Sequence, residues 1–365
     1  MTDEPSIHFL TDGGQSATSI LDRLVAYIDG ATTSLDLAIY DAHLAPELRD
    51  RLLGAFDAAE RRGVAVRAVY NYLSNYAVEH PPRPSKASPQ TGASLLERLT
   101  QSVPFKAIPG EPDLMHHKYV IRDRAAVWTG STNWTDDAWT RQENALIVIP
   151  SADLAAAYQL DFDQLWNRGQ VEDSGDLDDT PASLVYRAQP MKVRALFSPA
   201  RGPEISELIA QRITEARTRI NICSPVITSA EILKALVARI EANDLPPGTT
   251  IAIDGPQMHG AISQWKQNDR AAWKVPLAET VLHSGLVVAK ASTPYAPGTL
   301  HDYMHAKMVV CDDYVMTGSF NCSHSGEMNA ENVVEVQNRP FADECASFVI
   351  GVHTRYAAAN GAEDT

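Results

Sequence analysis

This chain is written twice, and that repetition limits what it can fold into more than any other feature of the sequence. Ala31–Tyr40 (ATTSLDLAIY) aligns with Ala216–Pro225 (ARTRINICSP), and each follows a helix-like stretch, ILDRLVAYIDG or ISELIAQRITE. A second helical segment comes next in each half, PELRDRLLGAFDAAERRG and AEILKALVARIEAND, and then a short β-rich run, VAVRAVY and TTIAID. Strand, helix, strand at this spacing reads as a βαβ unit, whose strands lie parallel in one sheet. Further along, the halves agree residue by residue, with an offset that drifts only between 185 and 189. A fixed long period marks repeated structural units. The economical architecture is a duplicated α/β unit: residues 1–170, an Asp- and Pro-rich linker over 171–190, and residues 191–365.

Each half carries H-x-K-x-x-x-x-D followed by G-S-x-N. The first copy is His116, Lys118, Asp123, then Gly130, Ser131, Asn133; the second is His305, Lys307, Asp312, then Gly318, Ser319, Asn321. In a strand, residues two apart project from the same face, so each His points with its Lys. The runs YVI and MVV beside them are the apolar residues that would bury such a strand. The G-S-x-N supplies a tight turn with a hydroxyl and an amide. Glu143 and Glu331 each fall ten residues after the Asn, positioned to orient a histidine ring through Nδ1. Two lysines and two asparagines around one point make fixed donors for a tetrahedral oxyanion such as phosphate. The two histidines then have separable roles. One attacks as a neutral nucleophile, and the other protonates the leaving alcohol. No acidic cluster with metal-ligand spacing accompanies them, so the expectation is chemistry without a metal or other cofactor.

This doubled motif resembles the signature of the phospholipase D superfamily, over approximately residues 6–170 and 193–358. The resemblance implies an α/β fold with pseudo-twofold duplication, two mixed, mostly parallel sheets flanked by helices, and one active site at the interface of the halves. It implies His116 as the nucleophile that becomes the phosphohistidine and His305 as general acid. Lys118, Lys307, Asn133 and Asn321 would bind phosphate, with the Ser131 and Ser319 hydroxyls assisting and Glu143 and Glu331 holding the histidines. Asp123 and Asp312 would have a structural role behind the residues that meet the substrate. GSTNWT and GSFNCS are similar to the branch with small bacterial nucleases and cardiolipin-type hydrolases, whereas lipid-hydrolysing members often carry G-G-x-N. The Asp-to-Gly spacing differs by one residue between the copies.

Composition narrows the partners. Thirty-one basic against 46 acidic residues give a net charge of -15, without a Lys/Arg run. That disfavours a long polyanion, since each phosphate contact wants a Lys or Arg. No apolar window is long enough for a membrane span, and the N-terminus MTDEPSIHFLTD has no apolar signal region, so a cytoplasmic location without stable membrane insertion is the expectation. The four cysteines, Cys223, Cys311, Cys322 and Cys345, form no C-x-x-C pair and read as reduced thiols, with buried positions for those in strand-like runs. His117 has no Lys two residues on and should face away; His283 and His301 read as loop residues. Trp134, Trp139 and Tyr303 would line either the pocket or the core. Two unlike inserts, His80–Gly92 and Gly255–Pro276, are candidates for shaping substrate access. The leading reading is a metal-independent phosphodiesterase that hydrolyses phospholipids or transfers them to alcohols. A metal-independent endonuclease is the alternative, another small phosphodiester is a further candidate substrate, and a catalytically silent binding or scaffold protein is a third reading. The oligomeric state is not legible.

Overall fold

The computed structural model describes residues 4–72, 103–178, 180–296 and 299–363. The first half begins with β1 (Ser6–Leu10), α1 (Ala17–Asp29), β2 (Ser34–Ile39), β3 (Ala42–His43), α2 (Pro46–Arg61), β4 (Ala65–Tyr72) and β5 (Phe105–Pro109). It continues with β6 (Lys118–Arg122), β7 (Ala126–Gly130), β8 (Trp134–Thr135), α3 (Asp136–Thr140), β9 (Asn144–Ile149) and α4 (Ala152–Arg168). The second half opens with β10 (Ala182–Tyr186), β11 (Gln189–Ser198), α5 (Gly202–Glu215), β12 (Ile220–Ser224), α6 (Ala230–Glu241), β13 (Thr250–Asp254) and α7 (Gly255–Lys266). Then come α8 (Val275–Leu282), β14 (Val287–Lys290), β15 (Met308–Cys311), β16 (Tyr314–Gly318), α9 (His324–Met328), β17 (Glu331–Gln337) and α10 (Arg339–Glu363).

The two large sheets have the orders β1-β9-β7-β6-β2-β4-β5 and β10-β11-β17-β16-β15-β12-β13-β14. The βαβ units read from sequence are present: β2 pairs parallel with β4, and β12 with β13. The expectation of mostly parallel pairing is corrected. Beyond the parallel additions of β5 and β14, every other neighbour in these two sheets is antiparallel. The reason is local: tight turns at Asp123-Arg124 and Asp312 fold β6 onto β7 and β15 onto β16 as hairpins, which only antiparallel strands allow.

Three apolar cores organise the layers. One lies under α1 and α2 on the outer face of the first sheet, and one under α5 to α8 on the outer face of the second. The third is shared, with Tyr119, Tyr158 and Phe162 of the first half packed with Phe197, Val334 and Cys345 of the second. Helix α4 joins it through Leu154, Ala155, Tyr158, Phe162 and Leu165, the three-to-four spacing of one helical face. Ser151 caps that helix by accepting from Leu154 N, and Gly169 ends it with φ +71. Each fully buried aliphatic or aromatic side chain contributes about 1.5–3 kcal/mol, so a shared core holds the halves as one body.

The stretch 171–190, read as a solvated linker, is largely built into the structure. Val171, Ser174, Ala182 and Tyr186 are buried, and Ala182–Tyr186 extends the second sheet as an edge strand on β11. Its alternating ASLVY pattern outweighs the aspartates before it. The insert at Gly255–Pro276 is helical, forming α7 and the start of α8, while the insert at His80–Gly92 lies outside the described residues. All four cysteines are buried and free. No helix among the described residues is long and apolar enough to cross a membrane.

Candidate active site

The site forms where the two motif strands meet their opposite halves. Just before β6, His116 N donates to the Ala330 carbonyl (2.9 Å), while Ala330 N donates to the Leu114 carbonyl (2.8 Å). Just before β15, His305 N donates to the Glu143 carbonyl (3.1 Å). Each histidine is thus fixed by backbone contributed by the other repeat, and both stand at the seam.

Each lysine folds back on its own histidine. Lys118 Nζ donates to the His116 carbonyl (2.6 Å), and Lys307 Nζ to the His305 carbonyl (2.7 Å). Both lysines and His116 are buried, and His305 is partly exposed. Burial pushes the Lys118 ammonium down to about 7, and burial and then Lys118 hold Lys307 well below the usual lysine range. Both rings are held well below the ordinary histidine value, by burial first and by the two lysines next. Lys118, depressed by burial, and Lys307 and the two rings, depressed by burial and by neighbouring lysine, form a cluster that gains charge stability when an oxyanion enters. Tyr40, just beyond β2, edges onto His116 (4.5 Å) with the Lys118 ammonium 4.7 Å over its ring.

The ring partners differ. His116 Nδ1 donates to Glu331 Oε1 at 2.7 Å, and burial pushes the Glu331 carboxyl up to about 7 against the pull of Lys118. Glu143 does not hold His305. It is turned to Lys290 Nζ (2.9 Å), the Tyr356 hydroxyl and Asp12 N (3.2 Å). His305 Nδ1 instead donates to Asn144 Oδ1 at 3.1 Å. The amide orientation is fixed, because Asn144 Nδ2 donates to the Ala138 carbonyl (3.2 Å) and Gln142 Oε1 (3.3 Å).

A slip of one residue accounts for this correction. Gly130 packs against the Ala145 carbonyl and Gly318 against the Asn332 carbonyl; a Cβ on either would meet that oxygen at 2.2 or 2.3 Å. Ser131 N donates to Ala145 O, and Ser319 N to Asn332 O. Ala145 is therefore the spatial counterpart of Asn332, and Asn144 that of Glu331. The next pair along the seam differs likewise. His117 Nδ1 accepts from Asn332 Nδ2 (3.1 Å), whereas the corresponding Ala306 and Ala145 both lie in the shared apolar core.

The serines are also corrected. Ser131 is fully buried, donates to Asn144 Oδ1 (2.7 Å) and accepts from Ala145 N (2.9 Å). Ser319 is fully buried and accepts from Asn332 N (3.0 Å) and Nδ2 (3.2 Å). Their hydroxyls are committed to bracing the strand that carries the ring partners. Asn133 and Asn321 each keep a buried Oδ1 with no hydrogen-bond partner, side-chain amides uncommitted to the fold. Asp123 accepts from Thr32, Thr33 and Ser34 N, and Asp312 from Arg217, Thr218 and Arg219 N, bracing the entries to β2 and β12 away from the rings.

His117 faces away into the shared core with Nε2 3.1 Å from Asp161 Oδ2. Trp134 and Trp139 are core residues at 1% exposure. Tyr303 stacks on His301 (5.5 Å) with a buried, unpartnered hydroxyl. His283 caps α8 at the surface. Sequence reasoning missed Tyr40, Asn144 and Lys290. Of these, Tyr40 had a signal, since it directly follows the C-terminal end of a parallel strand, where α/β sites are built.

Comparison with known proteins gives a consistent family. The family described as cardiolipin synthase, PLD-like domain, matches residues 24–166 and again 209–349. A mitochondrial cardiolipin hydrolase of Xenopus laevis is 30% identical over 148 residues, 40% of this chain and 61% of that protein. The Homo sapiens protein of the same name is 28% identical over 154 residues, 41% of this chain and 52% of that one. The chain thus spans a little over half the length of these curated relatives. Among solved structures, the phosphatidylserine synthase of Haemophilus influenzae superposes with a TM-score of 0.62 at 15% identity, over 95% of this chain and 86% of that one, a likeness of fold.

Proposed function

Because the chain belongs to the phospholipase D superfamily, we propose that it is a metal-independent phosphodiesterase acting on phospholipids through a covalent phosphohistidine at His116. The observation that carries this reading is the seam itself: two His-Lys pairs from opposite repeats converge, and one ring is held by a buried carboxylate. His116 Nε2 attacks phosphorus while the bond to the leaving alcohol breaks, and His305 Nε2 gives that oxygen its proton. Glu331 keeps His116 in the tautomer whose Nε2 lone pair is free. Lys118, Lys307 and the amides of Asn133 and Asn321 hold the non-bridging oxygens, whose charge grows in the transition state. In the second step water loses a proton to His305, its oxygen attacks phosphorus, and the P–N bond to His116 breaks. An alcohol in place of water gives transfer instead of hydrolysis. The relatives named as cardiolipin hydrolases support a phospholipid substrate.

The test is an assay in EDTA on vesicles of cardiolipin and phosphatidylcholine with ethanol present, beside single-stranded DNA. Phosphatidylethanol formation, lost in His116→Ala, is the expected result. DNA cleavage with both lipids intact would overturn the substrate assignment, and an absolute need for added divalent metal would overturn the mechanism.

A further inference from the structure

The two histidines of the seam do not have equivalent partners, and the difference matches the charge each ring must carry. We infer that Asn144 is a positioning residue that, by standing where the other repeat has Glu331, fixes His305 as the proton-transferring ring and leaves His116 as the nucleophile. This rests on the phosphodiesterase reading above and assigns roles within it.

Forming the P–N bond turns the His116 ring into a phosphorylated imidazolium, a cation. Its Nδ1–H faces a buried carboxylate at 2.7 Å, which stabilises that positive charge as it appears. In the same step His305 gives its Nε2 proton to the leaving oxygen and loses its positive charge. A carboxylate opposite would resist that loss. The neutral Asn144 oxygen at 3.1 Å accepts the Nδ1–H in both protonation states and fixes the tautomer without holding the cation. Every other group on Asn144 keeps it an amide: Nδ2 points at two acceptors, Ala138 O and Gln142 Oε1, while Ser131 donates to Oδ1. The nearest carboxylate in sequence, Glu143, is held away by Lys290 and Tyr356. Around His305 the strongest charged influences on the ring are Lys307, Lys118 and His116, all basic, and the group that favours the cation is the uncharged backbone of Ser131.

The probe is bis(p-nitrophenyl) phosphate in EDTA, because its leaving group departs without a proton. Release of the first p-nitrophenol then reports attack by His116 as a burst, and steady turnover reports His305 acting as base on water. His305→Ala should keep the burst and lose turnover, and His116→Ala should lose both. Asn144→Asp should move the acidic limb of the turnover pH profile up by about one to three units, the shift an adjacent opposite charge produces. Glu331→Gln, an isosteric change that stands in if Asn144→Asp fails to fold, should slow the burst about 10- to 1,000-fold and leave that limb in place. A burst that survives in His116→Ala but not in His305→Ala reverses the roles and overturns the inference. So does a limb that moves with Glu331→Gln and not with Asn144→Asp. A wild-type protein inert on this diester would overturn the phosphodiesterase reading itself.

Discussion

Replacing Lys290 with Met tests the ionic latch that ties the two repeats together beside His305. Lys290 ends β14 in the second half at 4% exposure, yet its Nζ reaches Glu143 Oε2 (2.9 Å), Asp12 Oδ2 (3.2 Å) and the Arg141 carbonyl (3.2 Å) of the first. Glu143 is fully buried. Met keeps most of the length and apolar stem of lysine but leaves that carboxylate without its cation. Breaking a buried pair from one side costs about 3–5 kcal/mol, because the remaining charge is stranded. Tyr356 and Asp12 N still donate to Glu143 Oε1, which puts the loss at the lower end, about 3 kcal/mol. At about 2.1 cal/mol/K of unfolding entropy per residue, that lowers the Tm of a chain this size by about 4 °C. Differential scanning calorimetry of the wild type, Lys290→Met, Glu143→Gln and the double variant measures it. The double variant should recover part of the loss, since the stranded charge is gone. A single Lys290→Met within 1 °C of wild type, or a double variant less stable than both singles, would refute the stranded-charge argument.

Three further outcomes are expected. Gly318→Ala would put a Cβ 2.3 Å from the Asn332 carbonyl at φ +153, so β17 must shift next to Glu331. Its unfolding free energy from denaturant titration should fall by more than about 1 kcal/mol, with loss of turnover, and an unchanged value would contradict the close approach. Burial alone would raise the Asp123 carboxyl, but its bonds from Ser34, Thr33 and Thr32 outweigh that and hold it below its ordinary value. A depressed carboxylate contributes stability above its unfolded value of about 3.9 and loses it as pH falls through the folded one. The stability gap between wild type and Asp123→Asn should therefore be wide at pH 7 and close in acid; a gap that does not narrow would contradict this. Finally, with burial pushing Lys118 down to about 7, a bound oxyanion should raise it again. Tungstate binding at pH 8 should take up protons, seen by calorimetry as a heat that varies with the ionisation enthalpy of the buffer. A buffer-independent heat would count against Lys118 as an anion ligand.

The residues whose chemistry demands a residue type were legible. His116, Lys118, His305 and Lys307 could be found because the same His-x-Lys spacing recurs in both halves at the edge of an apolar strand, although the strands begin only at Lys118 and Met308, and Gly130 and Gly318 because each opens a repeated G-S-x-N turn. What escaped was anything decided by chain pairing. Local periodicity identifies a strand without its neighbour's direction, so the hairpins at Asp123-Arg124 and Asp312 were missed, although Asp in a two-residue turn at positive φ is a hairpin signal. The ring partner escaped for a related reason. An E-N dipeptide recurs at equal distance from each G-S-x-N, which makes Glu143 look like the mate of Glu331. After the caps Thr135 and Ser323, however, the first repeat uses one more residue than the second to reach its strand. Register in a sheet moves in steps of one residue, and one step exchanges every side chain between faces. A carboxylate and an amide therefore change places without any change in the motif.

That slip is possible only because the repeats are joined in one chain. Two identical subunits meeting on a twofold axis would give both histidines the same partner, since an isologous contact repeats every pair. Both rings would then face a carboxylate or both an amide. In the proposed mechanism one of those favours the ring that gains charge and the other the ring that loses it, so neither suits both. In a single polypeptide the two sides of the seam are separate positions. His116 faces Glu331 and His305 faces Asn144, while His117 with Asn332 is replaced on the other side by two alanines. Glu143, displaced from the ring by the same slip, is free to serve as the buried anchor for Lys290 and Tyr356. On this account the Asn144→Asp variant restores the symmetric pairing of a subunit dimer. Its altered pH profile would measure what the asymmetry contributes.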